Sequence, residues 1–246
     1  MTHEPAESFF FKRFSLQHRR STLKIGTDSV LLAAVARVES VSSVLDIGCG
    51  CGVITFCIAD RINDTDTPHC HLTGIDIDVP SIEEANLNLN TFPHRTSQTI
   101  DFINISLQKY AKSANRLFNL IVANPPFFNQ DLKPDNARKQ QGKHRDGQLP
   151  FEDLVAGVDS LLQASGLFYL ILPPAENEEF KKKAISRLFL QEDWHVFPRA
   201  GKPMHRVISV YTRLDTEYLG HKELYIRDFD GKYTSEYKQL TENLYL

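Results

Sequence analysis

Short apolar runs alternate with amphipathic segments along most of the chain. The apolar runs contain four to seven residues and predict buried strands, and the segments between them predict helices. The predicted strands are residues 44–47, 72–76, 99–105, 117–123, 167–172, 194–197 and 207–212. The predicted helices are residues 29–36, 53–62, 81–90, 150–163, 177–190 and 235–244. This alternation favours an α/β fold with a mostly parallel sheet.

Two segments do not follow this alternation. Residues 9–27 are basic and aromatic without a clear period, and residues 128–148 are polar and long for a connection, which indicates a functional loop. We expect a basic aromatic N-terminal extension over residues 1–28 and one α/β domain over residues 29–214. We expect residues 215–246 to form a C-terminal extension that packs on the same domain.

A glycine-rich loop follows the first predicted strand. Gly48, Gly50 and Gly52 alternate with other residues after Asp46, directly before a helix, and such glycines allow a tight turn and the close approach of a ligand. Val53 stands where a dinucleotide-binding loop would have its last glycine, and Asp46 would repel a pyrophosphate. A ligand with a cationic part, such as S-adenosylmethionine, fits better. A phosphate-binding loop is disfavoured because no Gly-Lys-Ser/Thr follows, and a glycine-rich turn without a ligand is the other alternative.

The second predicted strand ends in two carboxylates that flank Ile77. Asp76 lies where the strand should end, so it is the better candidate for accepting hydrogen bonds from the two hydroxyls of a ribose. Asp78 is as well explained as a helix cap, and a strand-end turn is the alternative for Asp76.

A proline-rich exit follows the fourth strand and carries the candidate catalytic residues Asn124, Pro125, Pro126 and Phe127. Two prolines cannot continue the sheet, so the chain must leave it there. The Asn124 side-chain oxygen, the Pro125 carbonyl and the Phe127 ring would then suit a planar amine such as adenine. The alternative is a strand exit without chemistry. If the first and fourth strands are neighbours, this exit and the glycine loop flank one crevice.

Composition and charge narrow the class of protein. With 41% hydrophobic and 24% charged residues, the 246-residue chain resembles an ordinary globular protein. No apolar stretch approaches the roughly 20 residues that span a bilayer. The first residues lack the features of a signal peptide, so we expect a cytosolic protein.

Basic residues are concentrated in three segments, although the net charge is −3. Residues 9–27 and 194–214 contain no acidic residue, and residues 133–145 follow the proline-rich exit. Solvated surfaces would explain each segment alone, but three of them around one site favour nucleic acid as the substrate.

The cysteines do not form a recognisable metal site. The cysteines and the nearby histidines are Cys49, Cys51, Cys57, His69, Cys70 and His71. Their spacing fits no standard zinc finger or ribbon, and a cytosolic chain keeps its thiols reduced. We therefore expect neither a metal nor a disulfide.

Two blocks of sequence together resemble a known class of enzymes. Residues 46–52 with residues 124–127 look like the pattern of class I amino-methyltransferases, which include the N6-adenine enzymes. Residues 11–19 and 23–32 are similar to the bacterial tRNA1(Val) (adenine37-N6)-methyltransferase family, and so is the ending from residue 226 onward. The resemblance covers nearly the whole chain.

The resemblance implies a doubly wound, Rossmann-like, mostly parallel sheet of seven strands with short terminal extensions. It implies S-adenosylmethionine-dependent N6-methylation of an adenine in tRNA, with adenine 37 of tRNA1(Val) as the expected target. We also expect a monomer without a metal or a membrane contact. The implied cofactor contacts are Gly26, Thr27, Asp28, Asp46, Gly48, Gly50, Gly52, Asp76, Ile77, Ser106, Leu107 and Asn124. The expected contacts to RNA are Lys12, Arg13, His18, Arg19, Arg20, Lys139, Lys143 and Arg145.

Some of these contacts have alternatives. Many class I methyltransferases hold the cofactor adenine with an acidic residue after the third strand, where this chain has Ser106. Serine offers a weaker neutral hydrogen bond, and backbone groups or Leu107 are the alternatives. Thr27 or Asp28 is also the expected cap of the first helix.

The same motifs leave other functions open. A DNA or rRNA adenine-N6 methyltransferase would share residues 124–127, and a protein glutamine methyltransferase has a similar motif and a planar amide substrate. The chain leaves no room for a separate DNA-recognition domain, and the basic aromatic segment favours nucleic acid over protein. A non-catalytic RNA-binding module is the alternative from a different class.

Overall fold

The computed structural model of the chain describes residues 8–21, 25–65, 69–93, 97–125 and 149–245. The predicted site residues Pro126 and Phe127 and the basic residues Lys139, Lys143 and Arg145 lie outside these ranges. The strands are β1 (Ser8–Phe10), β2 (Ser15–Gln17), β3 (Ser43–Ile47), β4 (Cys70–Asp76), β5 (Gln98–Asn104), β6 (Phe118–Ala123), β7 (Leu162–Leu172), β8 (Phe189–Phe197), β9 (Arg206–Thr212) and β10 (His221–Tyr225). The helices are α1 (Thr27–Val35), α2 (Val53–Ile62), α3 (Val79–Leu89), α4 (Leu107–Ser113), α5 (Phe151–Leu161), α6 (Pro174–Ala184) and α7 (Ser235–Thr241).

Within the described ranges, eight strands form one sheet in the order β10-β8-β9-β7-β6-β3-β4-β5. Of these eight described strands, only β9 runs antiparallel to its neighbours, so the predicted mostly parallel, doubly wound α/β fold is confirmed. From β3 the chain first builds outward through β4 and β5 and then returns to the other side of β3 with β6. The switch point of the sheet therefore lies between β3 and β6, where ligands bind in such folds.

The predicted number of seven strands is wrong because β10 adds an eighth strand at the edge of the sheet. This strand pairs parallel with β8 through residues of the C-terminal segment. Its sequence shows little strand pattern, because only Leu224 is buried and His221, Lys222 and Glu223 are exposed.

The sheet carries a hydrophobic core on each face. Along β6, Leu120 and Val122 join one core, and Ile121 and Ala123 join the other, as the two-residue period of a strand requires. The first core includes the buried residues of α1 and α2, and the second includes those of α5 and α6.

The N-terminal segment is held by aromatic packing rather than by a periodic pattern. Strands β1 and β2 form an antiparallel hairpin. The buried rings of Phe11 and Phe14 stack with their centroids 4.5 Å apart, and Phe14 also meets Phe92 edge-on. The hairpin is thereby attached to the first core of the α/β domain.

The boundary between α6 and β8 differs most from the prediction. The predicted helix over residues 177–190 starts at Pro174 and ends at Ala184, and β8 begins at Phe189. Ser186 adopts a positive φ of 68°, which is incompatible with a right-handed helix, so the helix must end before this residue. Within the described ranges, none of the helices combines the length and the apolar character needed to cross a membrane.

Candidate active site

The glycine loop after β3 has a conformation that only glycine adopts easily. Gly48, Gly50 and Gly52 have φ values of 72°, 54° and 87°. The amides of Gly48 and Cys49 donate to the Ile75 carbonyl at 2.8 and 3.1 Å, which fixes the loop against the end of β4. A Cβ at Gly52 would lie 2.7 Å from the rings of Phe56 and Phe102, whereas a Cβ at Gly48 would meet nothing within 4 Å. The loop is thus packed on one side and open at Gly48.

Asp46 is fully buried beneath this loop. Its Oδ2 accepts hydrogen bonds from the amide and hydroxyl of Thr55 at 3.1 and 2.7 Å. Its Oδ1 has no hydrogen-bond partner within the part of the chain that the structure describes. Burial raises the pKa of this carboxyl to about 7. A buried carboxylate that lacks one donor fits a ligand with a cationic or hydrogen-bonding group better than it fits a phosphate.

Asp76 connects the end of β4 to the glycine loop. Its carboxylate accepts hydrogen bonds from the amides of Gly50 and Asp78, both at 2.9 Å. A carboxylate has about four acceptor positions, so half-buried Asp76 can still accept hydroxyl groups. Ile77 beside it is 55% exposed, which leaves its side chain able to pack against a ligand. Asp78 caps α3 by accepting from the Ser81 amide and hydroxyl, the alternative foreseen for it.

Ser106 and Leu107 have structural roles at the start of α4. Ser106 is the N-cap of this helix, and its hydroxyl accepts from the Lys109 amide. Leu107 is buried in the second core, where a Cβ added to Gly157 of α5 would approach its side chain within 2.6 Å. The Leu107 side chain is therefore occupied by packing, and only its backbone is left for a ligand.

Asn124 lies directly after β6, across the switch point from the glycine loop. Its side-chain Nδ2 donates to the hydroxyl of Ser29 at 2.9 Å. Because Nδ2 is held by this bond, Oδ1 is presented as a hydrogen-bond acceptor. Ser29 was not predicted from the sequence, where it reads only as the first residue of an apolar helix. Its partner is 95 positions away, so nothing local in the sequence indicates the pair.

The first turn of α1 corrects the predicted helix cap. The N-cap is Gly26, and Thr27 and Asp28 already belong to the helix. Asp28 accepts from the Nε of Arg206 at 2.7 Å, an ion pair that joins α1 to the beginning of β9. A carboxylate in the first turn also interacts favourably with the helix dipole. Gly26 and Thr27 are exposed beside this pair.

The predicted RNA contacts near the N-terminus differ in how far they are already engaged. Arg13 donates to the carboxylates of Asp60 and Asp64 at distances of 2.7–3.0 Å, which raises the pKa of its guanidinium. The Arg13 guanidinium is therefore already paired within the protein, and its contact with RNA stays a prediction. Arg20 pairs with Glu83, and Lys12 donates to a backbone carbonyl. His18 and Arg19 lie on the turn after β2.

The four cysteines are buried and free. Burial raises the pKa of the Cys51 thiol to about 12 and that of the Cys49 thiol well above its ordinary value. Among the residues that the structure describes, no group of three or more His, Cys, Asp or Glu side chains could hold a metal ion.

Comparison with solved structures supports the fold. The structure of a predicted O-methyltransferase from Agrobacterium tumefaciens superimposes with a TM-score of 0.63 at 16% identity, covering 88% of this chain and 96% of that one. The T. thermophilus 16S rRNA N2 G1207 methyltransferase, solved with AdoMet and guanosine, gives a TM-score of 0.54 at 19% identity over 83% of this chain and 49% of that one.

Comparison of sequences identifies the family. The profile of the methyltransferase small domain matches residues 20–140. The tRNA1(Val) (adenine(37)-N6)-methyltransferase of Photorhabdus laumondii is 32% identical over 98% of this chain and 96% of its own length. The enzyme of the same name from Bacteroides fragilis is 30% identical over 97% of each chain. With identity at this level over nearly its full length, the chain belongs to the tRNA1(Val) (adenine(37)-N6)-methyltransferase family.

Proposed function

We propose that this protein transfers a methyl group from S-adenosylmethionine to the N6 amino group of an adenine in tRNA. The proposed target is adenine 37 of tRNA1(Val), the substrate in the names of its relatives. The observation that carries the proposal is the hydrogen bond from Asn124 to Ser29, which presents the Asn124 oxygen beside the glycine loop. A tRNA-modifying role also places the protein in the cytosol.

The residues around the glycine loop fit S-adenosylmethionine. Asp76 would accept the ribose hydroxyls, with Ile77 packing nearby. The unpaired oxygen of Asp46 and the exposed start of α1, from Gly26 to Asp28, would serve the cationic methionine end. Ser106 and the Leu107 backbone would lie toward the adenine. When bound, the cofactor supplies a methyl group on a positively charged sulfur.

The adenine amino group is a poor nucleophile because its lone pair is delocalised into the ring. We propose that the Asn124 Oδ1 and the Pro125 carbonyl accept its two hydrogens. These two contacts favour a pyramidal nitrogen whose lone pair is available for attack. Phe127 would stack on the base, and the proton lost from nitrogen would pass to solvent. Most of the rate enhancement then comes from alignment and fixed dipoles.

The target adenine must leave its stack to reach Asn124. In single-stranded loops this unstacking is less costly than the few kcal/mol needed in a duplex. An anticodon loop therefore suits the site better than double-stranded DNA or RNA does.

Nucleoside mass spectrometry of tRNA tests the proposal. The purified protein with S-adenosylmethionine should form N6-methyladenosine in unmodified tRNA1(Val), and a transcript with guanine at position 37 should remain unmethylated. Deletion of the gene should remove the same modification from cellular tRNA. Unchanged N6-methyladenosine in the deletion strain would contradict the proposal.

A further inference from the structure

An aromatic groove of about 760 Å³ lies beside the start of α1. Among the residues that line it are Phe9, Phe10, Gly26, Thr27, Tyr233 and Tyr237. They come from the N-terminal hairpin, the start of α1 and the C-terminal segment. The groove thus joins three parts of the chain that are distant in sequence.

The rings of the groove are partly anchored and partly exposed. Phe9 is fixed against Phe11 with the centroids 4.8 Å apart, and Tyr237 is buried. Phe10 is 63% exposed, so its ring contributes little to the core. An exposed aromatic ring at the rim of a groove is a surface on which a planar base can stack.

The C-terminal wall of the groove is rigid. Tyr233 stacks on Tyr237 with the centroids 5.0 Å apart, and the Arg227 guanidinium lies over the Tyr233 ring at 4.0 Å. Arg227 also donates to the Gly231 carbonyl at 2.7 Å. A wall held in this way would lose little conformational entropy when a ligand binds.

One lysine of the groove is available to bind an anionic group. Lys238 lines it and makes no ion pair within the described part of the chain. Lys12 donates to the backbone carbonyl of Glu242, which is the acidic residue of the lining. Lys238 is therefore available to bind a phosphate, and Lys12 adds a second positive charge just outside the lining.

The groove and the candidate active site share the first turn of α1. Gly26 and Thr27 line the groove, and Ser29, two residues further along α1, binds Asn124. Two residues of helix correspond to about 3 Å of axial rise. Because residues two apart on a helix lie on nearly opposite faces, a strand whose target base reaches Asn124 would cross the exposed start of α1 at Gly26 to bring a neighbouring nucleotide to the groove.

We propose that the aromatic groove binds a nucleotide that flanks the target adenine, with its base stacked on Phe10 and its phosphate near Lys238. The inference rests on the proposed function and assigns a substrate contact to the C-terminal segment. The occupant is single-stranded RNA, because a duplex does not expose the face of a base for stacking.

Filter binding with a stem-loop RNA of the anticodon-arm sequence tests the proposal. Phe10→Ala should weaken binding about 5- to 150-fold, the range for losing one base–aromatic stack, and Phe10→Tyr should bind about as tightly as the wild type. Lys238→Ala should lower the slope of log affinity against log salt by about one. Duplex RNA of equal length should bind equally to the wild type and to Phe10→Ala.

Ile185→Ala is the matched control, because Ile185 is 70% exposed and lies between α6 and β8, outside the lining of the groove. It should leave RNA affinity unchanged. Equal RNA affinity of Phe10→Ala and the wild type, as expected if the groove binds a protein segment, would overturn the proposal. So would an equal loss in Phe10→Tyr. These outcomes are independent of the proposed function, which fails only if the wild type forms no N6-methyladenosine in tRNA.

Discussion

The two sides of the crevice are held in place by different means. On the side of the glycine loop, three positive φ values and a buried carboxylate fix the backbone itself. On the opposite side, Asn124 is oriented by one side-chain hydrogen bond to Ser29. Changes to the loop should therefore act on folding and cofactor binding, whereas changes to the Asn124 pair should act on the reaction alone.

The largest effect is expected for Gly52→Ala. Both the positive φ and the 2.7 Å contacts with Phe56 and Phe102 oppose a methyl group there. We expect a loss of about 2–5 kcal/mol in the free energy of unfolding, measured by urea denaturation. Gly48→Ala is the control, because it meets the same φ penalty in open space and should lose only about 1–2 kcal/mol. Equal losses would show that packing does not hold the loop.

Asn124→Ala should leave folding intact and remove catalysis. Loss of a preorganised acceptor typically lowers kcat about 100- to 1000-fold. Cofactor affinity, measured by calorimetry, should change little, because the assigned cofactor contacts lie mainly on the other side of the crevice. A parallel loss of cofactor affinity and kcat would assign Asn124 to the cofactor side instead.

Ser29→Ala separates the positioning residue from the catalytic one. Without the hydroxyl, Nδ2 of Asn124 loses its acceptor and the side chain can rotate. We expect kcat to fall about 2- to 12-fold, as for the loss of one hydrogen bond, with unchanged cofactor affinity. Ser209→Ala is matched, because buried Ser209 donates to Asn177 at 2.8 Å away from the site. It should lower stability without lowering kcat, and a similar fall in kcat would argue against positioning.

The smallest effect is expected for the pH dependence of cofactor affinity, which the Asp46 carboxyl should control. Its pKa of about 7 lies above the ordinary 3.8, so a cationic cofactor, which favours the ionised carboxylate, should bind more tightly as pH rises from about 6 to 8. Binding at pH 6 should release up to one proton, measurable by calorimetry in buffers of different ionisation enthalpy. Thr55→Val removes a hydrogen bond that lowers this pKa and should move the transition to higher pH.

Stability should depend on pH in the opposite direction. The folded protein without cofactor binds the Asp46 proton more tightly than the unfolded chain does. This contribution to stability is therefore complete below pH 3.8 and is lost as pH rises through about 7. A cofactor affinity that does not vary with pH would indicate that the bound cofactor does not interact with the Asp46 carboxylate.

The helix and strand boundaries on the glycine-loop side could largely be predicted from the sequence. The predicted helix over residues 53–62 coincides with α2, because a glycine loop and an apolar run mark its start and course. The strand ends at Ile47, Asp76 and Ala123 also lie where the apolar runs stop. These features are local, so periodicity and turn residues are sufficient to find them.

Features that depend on contacts between distant parts of the chain could not be predicted in the same way. The role of Ser29 depends on a hydrogen bond to a residue 95 positions away. The role of Arg13 depends on its pairing with carboxylates on α2 and just beyond it. The helix α4 was missed because residues 107–113 have no clear apolar stripe. Strand β10 was missed because one buried residue carries no pattern. In each case tertiary packing decides what the local sequence leaves open.

The eighth strand also has a consequence for how the protein behaves in a concentrated solution. An outer strand presents unpaired amides and carbonyls that can recruit a strand from another molecule. Here that position is taken by His221, Lys222 and Glu223, whose side chains are exposed. Charged side chains on an outer strand oppose intermolecular pairing, so the C-terminal segment should protect the apolar inner strands from aggregation.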